Sequence, residues 1–166
     1  MTITTYLETL ERVITDVVAP NASEVDQGGT FPRAAIEALG RSGLLGLISA
    51  EEVGGLGQAQ RAAALVIERL ARECASTAMV TCMHYAGTAV IEKYGLRGVR
   101  EAIAAGKHLT TLAFSEAGSR SHFWAPLSTA VRNNGHVQID AQKSWATSAG
   151  EVDSYVWSSR PLATEG

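Results

Sequence analysis

The 166-residue chain has few cysteines and no long apolar run, and each shortage excludes a class of protein. Its two cysteines, Cys74 and Cys82, are too few for a disulfide scaffold, and without a CxxC pair or a tight His/Cys cluster we predict no metal site. No apolar run approaches the ~18 residues that span a bilayer, so no membrane segment is predicted. Lys and Arg total 14 against 17 Asp and Glu, which argues against a nucleic-acid partner.

The N-terminal sequence MTITTYLETLERV lacks the basic and apolar regions of a secretory signal. Glu8 and Glu11 also argue against an organelle transit peptide, so we expect a cytoplasmic protein. A content of 46% hydrophobic and 19% charged residues is typical of a globular domain with a sizeable core.

Apolar residues recur every three or four positions through the first two thirds of the chain, which predicts helices. The first stripe stops before Pro20, and the polar, glycine-containing residues 21–30 indicate a loop. The glycine-broken residues 43–57 predict a packed irregular segment. The other predicted helices run from just after Phe31 to Gly43, from Ala59 to Cys74, from Ser76 to Tyr94 and from Val99 to Ala105.

After His108 the pattern changes to short apolar runs, which predict strands over 109–116, 128–132, 136–139, 145–149 and 155–159. Asn133-Asn134-Gly135 predicts a hairpin turn. The expected fold class is α+β: an all-α N-terminal helical domain, residues 1–108, followed by an incomplete antiparallel β-barrel-like domain, residues 109–166. So few strands leave an open edge, which a further chain segment or a partner chain should cover.

Two polar motifs follow apolar runs in the β region: LAFSEAGSRS from Leu112 to Ser121, and QKSWATSA from Gln142 to Ala149. Both carry small hydroxyl side chains, and the second adds Trp145 two residues before Thr147. Hydroxyls bind heteroatoms and an indole packs on a flat face, so the pair is suited to a planar ring with polar edges.

Residues 115–122, SEAGSRSH, resemble the acyl-CoA dehydrogenase segment T/S-E-P-G-x-G-S-D, and residues 141–148, AQKSWATS, resemble G-x-K-x-W-I-T/S-N/S. Phe31-Pro32, the GLLGL run, EEVGGLG over 51–57 and Tyr94-Gly95 resemble the helical domain of that family. The resemblance implies FAD as cofactor and α,β-dehydrogenation of an acyl thioester in fatty acid metabolism. It also implies an acyl-CoA substrate, electron-transfer flavoprotein as partner, and a homo-oligomer, dimer or tetramer, or a partner chain with the C-terminal domain.

The resemblance also assigns roles to individual residues. Ser115 donates to the pyrimidine side of the flavin, Trp145 packs beside the ring, and Thr147 hydrogen-bonds near N5. The cofactor-binding candidates are Leu112, Phe114, Ser115, Trp145, Thr147 and Ser148, and the substrate-binding candidates are Ser121, Arg120 and His122. The catalytic glutamate of the family lies in a C-terminal domain, so we expect the base outside this chain.

The chain departs from the family pattern at Ala117 for Pro, Arg120 for Gly, His122 for Asp and Ala141 for Gly. We expect Arg120 and His122 either to bind a carboxylate or phosphate of a substrate or to face solvent on a loop. The altered loop keeps open an oxygen-using oxidase or monooxygenase on the same scaffold. A second alternative is a non-catalytic fragment or one subunit of a split flavoprotein. His84, in the most apolar helix, is either a core histidine or a residue near the flavin.

Overall fold

Helices form the chain as far as Ala104 and strands begin at Thr110, in a computed structural model that describes residues 3–119, 122 and 124–161. The helices are α1 (Ile3–Val13), a π-helical turn (Ile14–Val18), α2 (Ala19–Gly28), α3 (Arg33–Arg41), α4 (Gln60–Ala71), α5 (Ala75–Tyr94) and α6 (Arg97–Ala104). None of the helices in these ranges is long and apolar enough to cross a membrane. The predicted α+β class is confirmed.

The predicted end of the first helix before Pro20, with a loop over 21–30, is wrong because the helix continues to Gly28. A π-helical turn precedes the proline, and the Ala19 N–H bonds the Ile14 carbonyl five residues back. Pro20 then lies in the first turn of α2, where its missing N–H costs little. The Asn21 side-chain amide donates to the Val17 carbonyl at 2.7 Å. Gly29 caps the end of the helix with a φ of 57°, a left-handed conformation that favours glycine.

The helical core lies between α1, α3, α4 and α5, and its fully buried members include Leu10, Leu39, Leu44, Leu47, Val66 and Leu70. Leu44 and Leu47 belong to the glycine-broken segment, which is irregular apart from a 3₁₀ turn at Glu51–Val53. The prediction of a packed irregular segment over 43–57 is therefore confirmed.

The strands are β1 (Thr110–Ala113), β2 (Thr129–Asn133), β3 (His136–Asp140) and β4 (Ser154–Trp157). β2 and β3 form the predicted antiparallel hairpin, with φ values of 47° at Asn134 and 82° at Gly135. β1 and β4 instead pair in parallel, a correction to the all-antiparallel prediction. The segment between β1 and β4 contains the β2–β3 hairpin. It brings the chain back to the start of β1, so that β4 runs in the same direction as β1. The result is two small sheets and not a closed barrel.

The strand predicted over 145–149 is also wrong. Trp145 has a φ of 56° and Ser148 a φ of 60°, and two left-handed residues are incompatible with an extended strand. The segment is a turn between β3 and β4. The predicted domain boundary at residue 108 stays a prediction, although the change from helix to strand falls within four residues of it.

His84 joins three parts of the fold and is fully buried on α5. Its Nδ1 accepts from the Thr110 N–H of β1 at 3.2 Å, so Nε2 carries the proton and donates to the Leu45 carbonyl at 3.0 Å. One turn further along α5, a Cβ at Gly87 would lie 2.9 Å from the Thr110 side chain, which shows how closely helix and strand approach. His84 is thus a core histidine with both ring nitrogens bonded.

We predict that His84 makes the protein less stable in mild acid. Burial lowers the pKa of His84 to about 4, with the Leu45 acceptor opposing the shift and His108 adding to it. The unfolded state takes up a proton near pH 6.5 and the folded state near 4, so stability falls as pH drops through this window. Between pH 7.5 and 5 the loss is about 2 kcal/mol.

Urea unfolding at pH 7.5, 6 and 5 measures this loss. His84→Gln is expected to be less stable at pH 7.5 by about 1–3 kcal/mol, but with a flatter pH profile. His136→Gln, at an exposed hairpin position, is the control and should keep the wild-type slope. If the free energy of unfolding of His84→Gln fell with decreasing pH as steeply as that of the wild type, His84 would not be the source of the loss of stability in mild acid.

Candidate functional site

The two polar motifs meet side by side, although 27 positions separate Glu116 of the first motif from Lys143 of the second. The Ser144 N–H donates to the Ser115 carbonyl at 2.9 Å, and Glu116 and Lys143 form an antiparallel bridge. Ser115 follows the end of β1, while Ser144 directly precedes Trp145. The edge that carries Ser115 and the turn that carries Trp145 and Thr147 are therefore neighbours.

A buried ion pair holds the motifs together. The Lys143 Nζ lies 2.5 Å from the Glu116 Oε1, and their side chains are only 4% and 3% exposed. Lys143 also donates to the Ser158 carbonyl at 2.6 Å, just after β4. Glu116 further accepts from the Ser128 hydroxyl and from the N–H groups of Leu127 and Ser128, at the start of β2. The Glu116–Lys143 pair thus connects the segments that directly follow β1, β3 and β4 with the segment that directly precedes β2.

The ionisation of Glu116 follows from these partners. Burial by itself would raise its pKa, but the hydrogen bonds from Lys143, from the Ser128 hydroxyl and from two backbone N–H groups outweigh burial and lower it to about 2. The carboxylate is therefore charged at neutral pH, and its oxygens are occupied by donors. A group in this state is a poor general base.

Trp145 lies in the turn after Lys143 and points its indole outward. The residue is 90% exposed, so its indole is not part of the core. Left-handed φ values at a non-glycine residue cost of order 1 kcal/mol or more and cluster at functional sites. An exposed indole on a strained turn beside the Ser115 edge has the shape of a wall for one face of a planar ligand.

Thr147 and Ser148 line a cavity of about 450 Å³ that opens between this turn and the helices. The opposite wall comes from Phe31 and Pro32, before α3, and from Met79 on α5. The Ser148 Oγ is buried and has no hydrogen-bond partner among the residues described. Buried polar atoms are nearly always satisfied, so this hydroxyl has capacity for a ligand acceptor or donor. Of the six cofactor-binding candidates, Thr147 and Ser148 line this cavity, and their hydroxyls opposite an apolar wall fit one polar edge of a flat ring such as the isoalloxazine of FAD.

The far end of the turn is anchored on the helical region. Val152 packs against the helical core, and Arg33 of α3 pairs with Glu151. The Asp153 carboxylate accepts from the Leu109 N–H at 2.7 Å, just before β1. Residues 144–150 are thus held by Lys143 on one side and by Glu151 to Asp153 on the other.

The remaining candidates lie on or near the loop between β1 and β2. Leu112 is on β1 opposite Val156, and Phe114 follows the strand. The ring of His122 stacks on Trp124 with 4.8 Å between centroids, and both residues are exposed. Arg120 and Ser121 lie outside the described residues. Over the described ranges, no three His, Cys, Asp or Glu side chains group as metal ligands.

Sequence reasoning missed the pairing of Glu116 with Lys143. It also missed the hydrogen bonds that Ser128 and Ser158 make with this pair. A signal was present, because Glu116 and Lys143 carry opposite charges and stand in motifs made mostly of small and apolar residues. Two such charges in adjacent motifs are expected to pair once the motifs are placed together. Ser128 and Ser158 gave no signal of their own.

We predict that Lys143→Met destabilises the fold by about 3–5 kcal/mol, because it leaves the buried Glu116 carboxylate without its cation. The double variant Glu116→Gln/Lys143→Met should lose less than the sum of the two single variants. Arg97→Met, which breaks an exposed pair with Glu101, is the control and should cost less than about 1 kcal/mol.

Urea unfolding at pH 7 measures these differences, and an acid titration tests the charge state. Stability from Glu116 is fully present above pH 4.5 and is lost as pH falls toward about 2. In Lys143→Met the folded-state pKa of Glu116 is higher, so this loss of stability in acid should be smaller or absent and should end at a higher pH. Additive single-variant effects would contradict a direct pairing.

Comparison with known proteins identifies the family of this chain. Residues 3–106 match the family model of the acyl-CoA dehydrogenase N-terminal domain. The human mitochondrial short-chain specific acyl-CoA dehydrogenase is 31% identical over 144 residues, which cover 82% of this chain and 34% of that protein. The chain thus spans about a third of the length of this curated relative.

Solved structures show the same fold. An acyl-CoA dehydrogenase from Bacillus anthracis, complexed with FAD, matches with a TM-score of 0.84 and 26% identity over 96% of this chain and 28% of that one. Butyryl-CoA dehydrogenase from Megasphaera elsdenii matches with a TM-score of 0.83 and 21% identity over 95% of this chain and 44% of that one. This chain belongs to the acyl-CoA dehydrogenase family.

Proposed function

We propose that this chain contributes one wall of an FAD site in a flavoenzyme that dehydrogenates an acyl thioester between its α and β carbons. The observation that carries the proposal is the hydrogen bond between Ser144 and Ser115, which places the two polar motifs at one edge. Family membership and the relative complexed with FAD support the cofactor. An acyl-CoA substrate follows from the names of the relatives.

Bound FAD supplies the hydride acceptor. The Ser115 hydroxyl is proposed to donate to the pyrimidine edge, where negative charge develops on reduction, and Leu112 and Phe114 to line the same edge. A donor held by the Ser115–Ser144 contact needs little reorganisation. Trp145 would cover one ring face and exclude water, while Thr147 and Ser148 would hydrogen-bond near N5.

The base that removes the α-proton is proposed to lie outside this chain. Glu116 is excluded because it is paired with Lys143 and its pKa is about 2. The acyl thioester is proposed to approach from the β1–β2 loop, where Ser121, Arg120 and His122 are candidate contacts. Electron-transfer flavoprotein as reoxidant, a homo-oligomer or a partner chain, and a cytoplasmic location stay predictions.

The oxygen-using alternative shares the cofactor site and differs in how the reduced flavin is reoxidised. The loop in which His122 stands in place of the family's usual Asp, with its ring stacked on Trp124, is the observation that favours this alternative. Rapid reoxidation by air with a peroxyflavin absorbance would support this alternative over the dehydrogenase.

We predict that the chain alone binds FAD weakly and does not turn over acyl-CoA. Trp145→Ala should weaken FAD binding about threefold to tenfold, because it removes the aromatic wall. Thr147→Val should weaken it about fivefold, because it removes one hydrogen bond at nearly constant volume. Thr129→Val, on the exposed hairpin, is the matched control and should leave binding unchanged.

Titration of FAD followed by flavin fluorescence gives the dissociation constants, and dye reduction with butyryl-CoA tests for turnover. Absence of FAD binding in the wild type, or equal affinity in Trp145→Ala and wild type, would refute the site. Turnover by the chain alone would refute the proposal that the base lies outside these residues.

A further inference from the structure

The turn over residues 144–150 is held near its end by a side chain of β4. The Gly150 N–H donates to the Tyr155 hydroxyl at 2.8 Å. The two residues are five positions apart, so the tyrosine reaches back across the segment that joins the turn to the strand. This contact differs from the anchors at Glu151 to Asp153, because it acts on a backbone group of the turn itself.

The Gly150 N–H belongs to a β-turn that follows Thr147. The Glu151 N–H donates to the Ser148 carbonyl at 3.0 Å, which places Gly150 at the third position of the β-turn. The φ of 86° at Gly150 is typical of that position in a type II turn. The hydrogen bond that closes a β-turn does not use the N–H of the third residue. The Tyr155 hydroxyl therefore supplies an acceptor that the turn itself lacks.

The face of β4 that carries Tyr155 contacts the other end of the turn as well. Side chains two positions apart in a strand lie on one face, so Tyr155 shares its face with Trp157. The two rings meet edge to face, with 6.3 Å between centroids. The Lys143 Nζ, directly before the turn, lies 5.9 Å from the centroid of the Trp157 ring. This aromatic pair thus contacts Lys143 at the start of the turn and Gly150 at its end.

We propose that Tyr155 is a positioning residue for the turn: its hydroxyl fixes the Gly150 amide and, through it, the direction in which Thr147 and Ser148 present their hydroxyls to the cavity. The left-handed φ values at Trp145 and Ser148 make the turn costly to form, and such conformations persist only where surrounding contacts hold them. The effect of Tyr155 on FAD binding rests on the proposed function, whereas its effect on the turn does not.

Tyr155→Phe isolates the hydroxyl, because the ring and its contact with Trp157 remain. Gly150 is exposed, so the hydroxyl is expected to be the main protection of its amide against hydrogen exchange. Without cofactor, the variant should exchange the Gly150 amide about fivefold faster or more, as measured by NMR. The heteronuclear NOE of the Thr147 amide should fall, because the turn moves more on the ps–ns timescale. Amides of the β2–β3 hairpin should exchange as in the wild type.

Tyr94→Phe is the matched control, since it removes the same hydroxyl from an exposed tyrosine at the end of α5. It should leave the exchange of Gly150 and the affinity for FAD unchanged. Tyr155→Phe is expected to weaken FAD binding about threefold to fivefold in the fluorescence titration, because the hydroxyls of the turn are no longer held in place. Thermal unfolding should show both variants folded.

Unchanged exchange of the Gly150 amide in Tyr155→Phe would overturn the proposal, whether or not the chain binds FAD. Equal acceleration in the β2–β3 hairpin would also overturn it, because the hydroxyl would then support general stability and not the turn. So would faster exchange together with unchanged FAD affinity. If the wild type binds no FAD, the proposed function fails, and the exchange and NOE measurements alone decide the role of Tyr155.

Discussion

The buried pair of Glu116 and Lys143 is the interaction on which the β region depends. It joins the end of β1, the start of β2, the segment after β3 and the residue after β4, which otherwise belong to two separate sheets. Because four short strands bury little apolar surface, this region cannot rely on hydrophobic packing alone. Its alignment is set by directed polar bonds around one carboxylate.

An ion pair in this position confers specificity more than stability. Removing two charges from water is costly, and the attraction between them repays this cost only when the remaining donors and acceptors are also satisfied. At Glu116 that condition is met by a lysine, a hydroxyl and two backbone N–H groups. A shifted register would leave a buried charge unpaired. The pair therefore selects the one alignment that places Ser115 beside Ser144.

The helical region provides the second fixed support for the site. His84 binds β1 and the irregular segment through both ring nitrogens, and Gly87 allows α5 to approach the strand. Arg33, Val152 and Asp153 hold the far end of the Trp145 turn. A strained turn between two rigid anchors is a suitable place for side chains that must keep their orientation toward a ligand.

The sequence by itself determined the α+β class, the helices after residue 31, the packed glycine-broken segment and the hairpin, because these follow from apolar spacing and turn residues that act over a few positions. It also indicated the two polar motifs and, by resemblance, the family. The tertiary structure decided the helix through Pro20, the parallel pairing of β1 with β4, the turn at Trp145 and the partner of Lys143. Each of these depends on contacts that a local pattern does not contain: a π-helical turn, a strand returning past a hairpin, and charges 27 residues apart that meet only when the chain is folded.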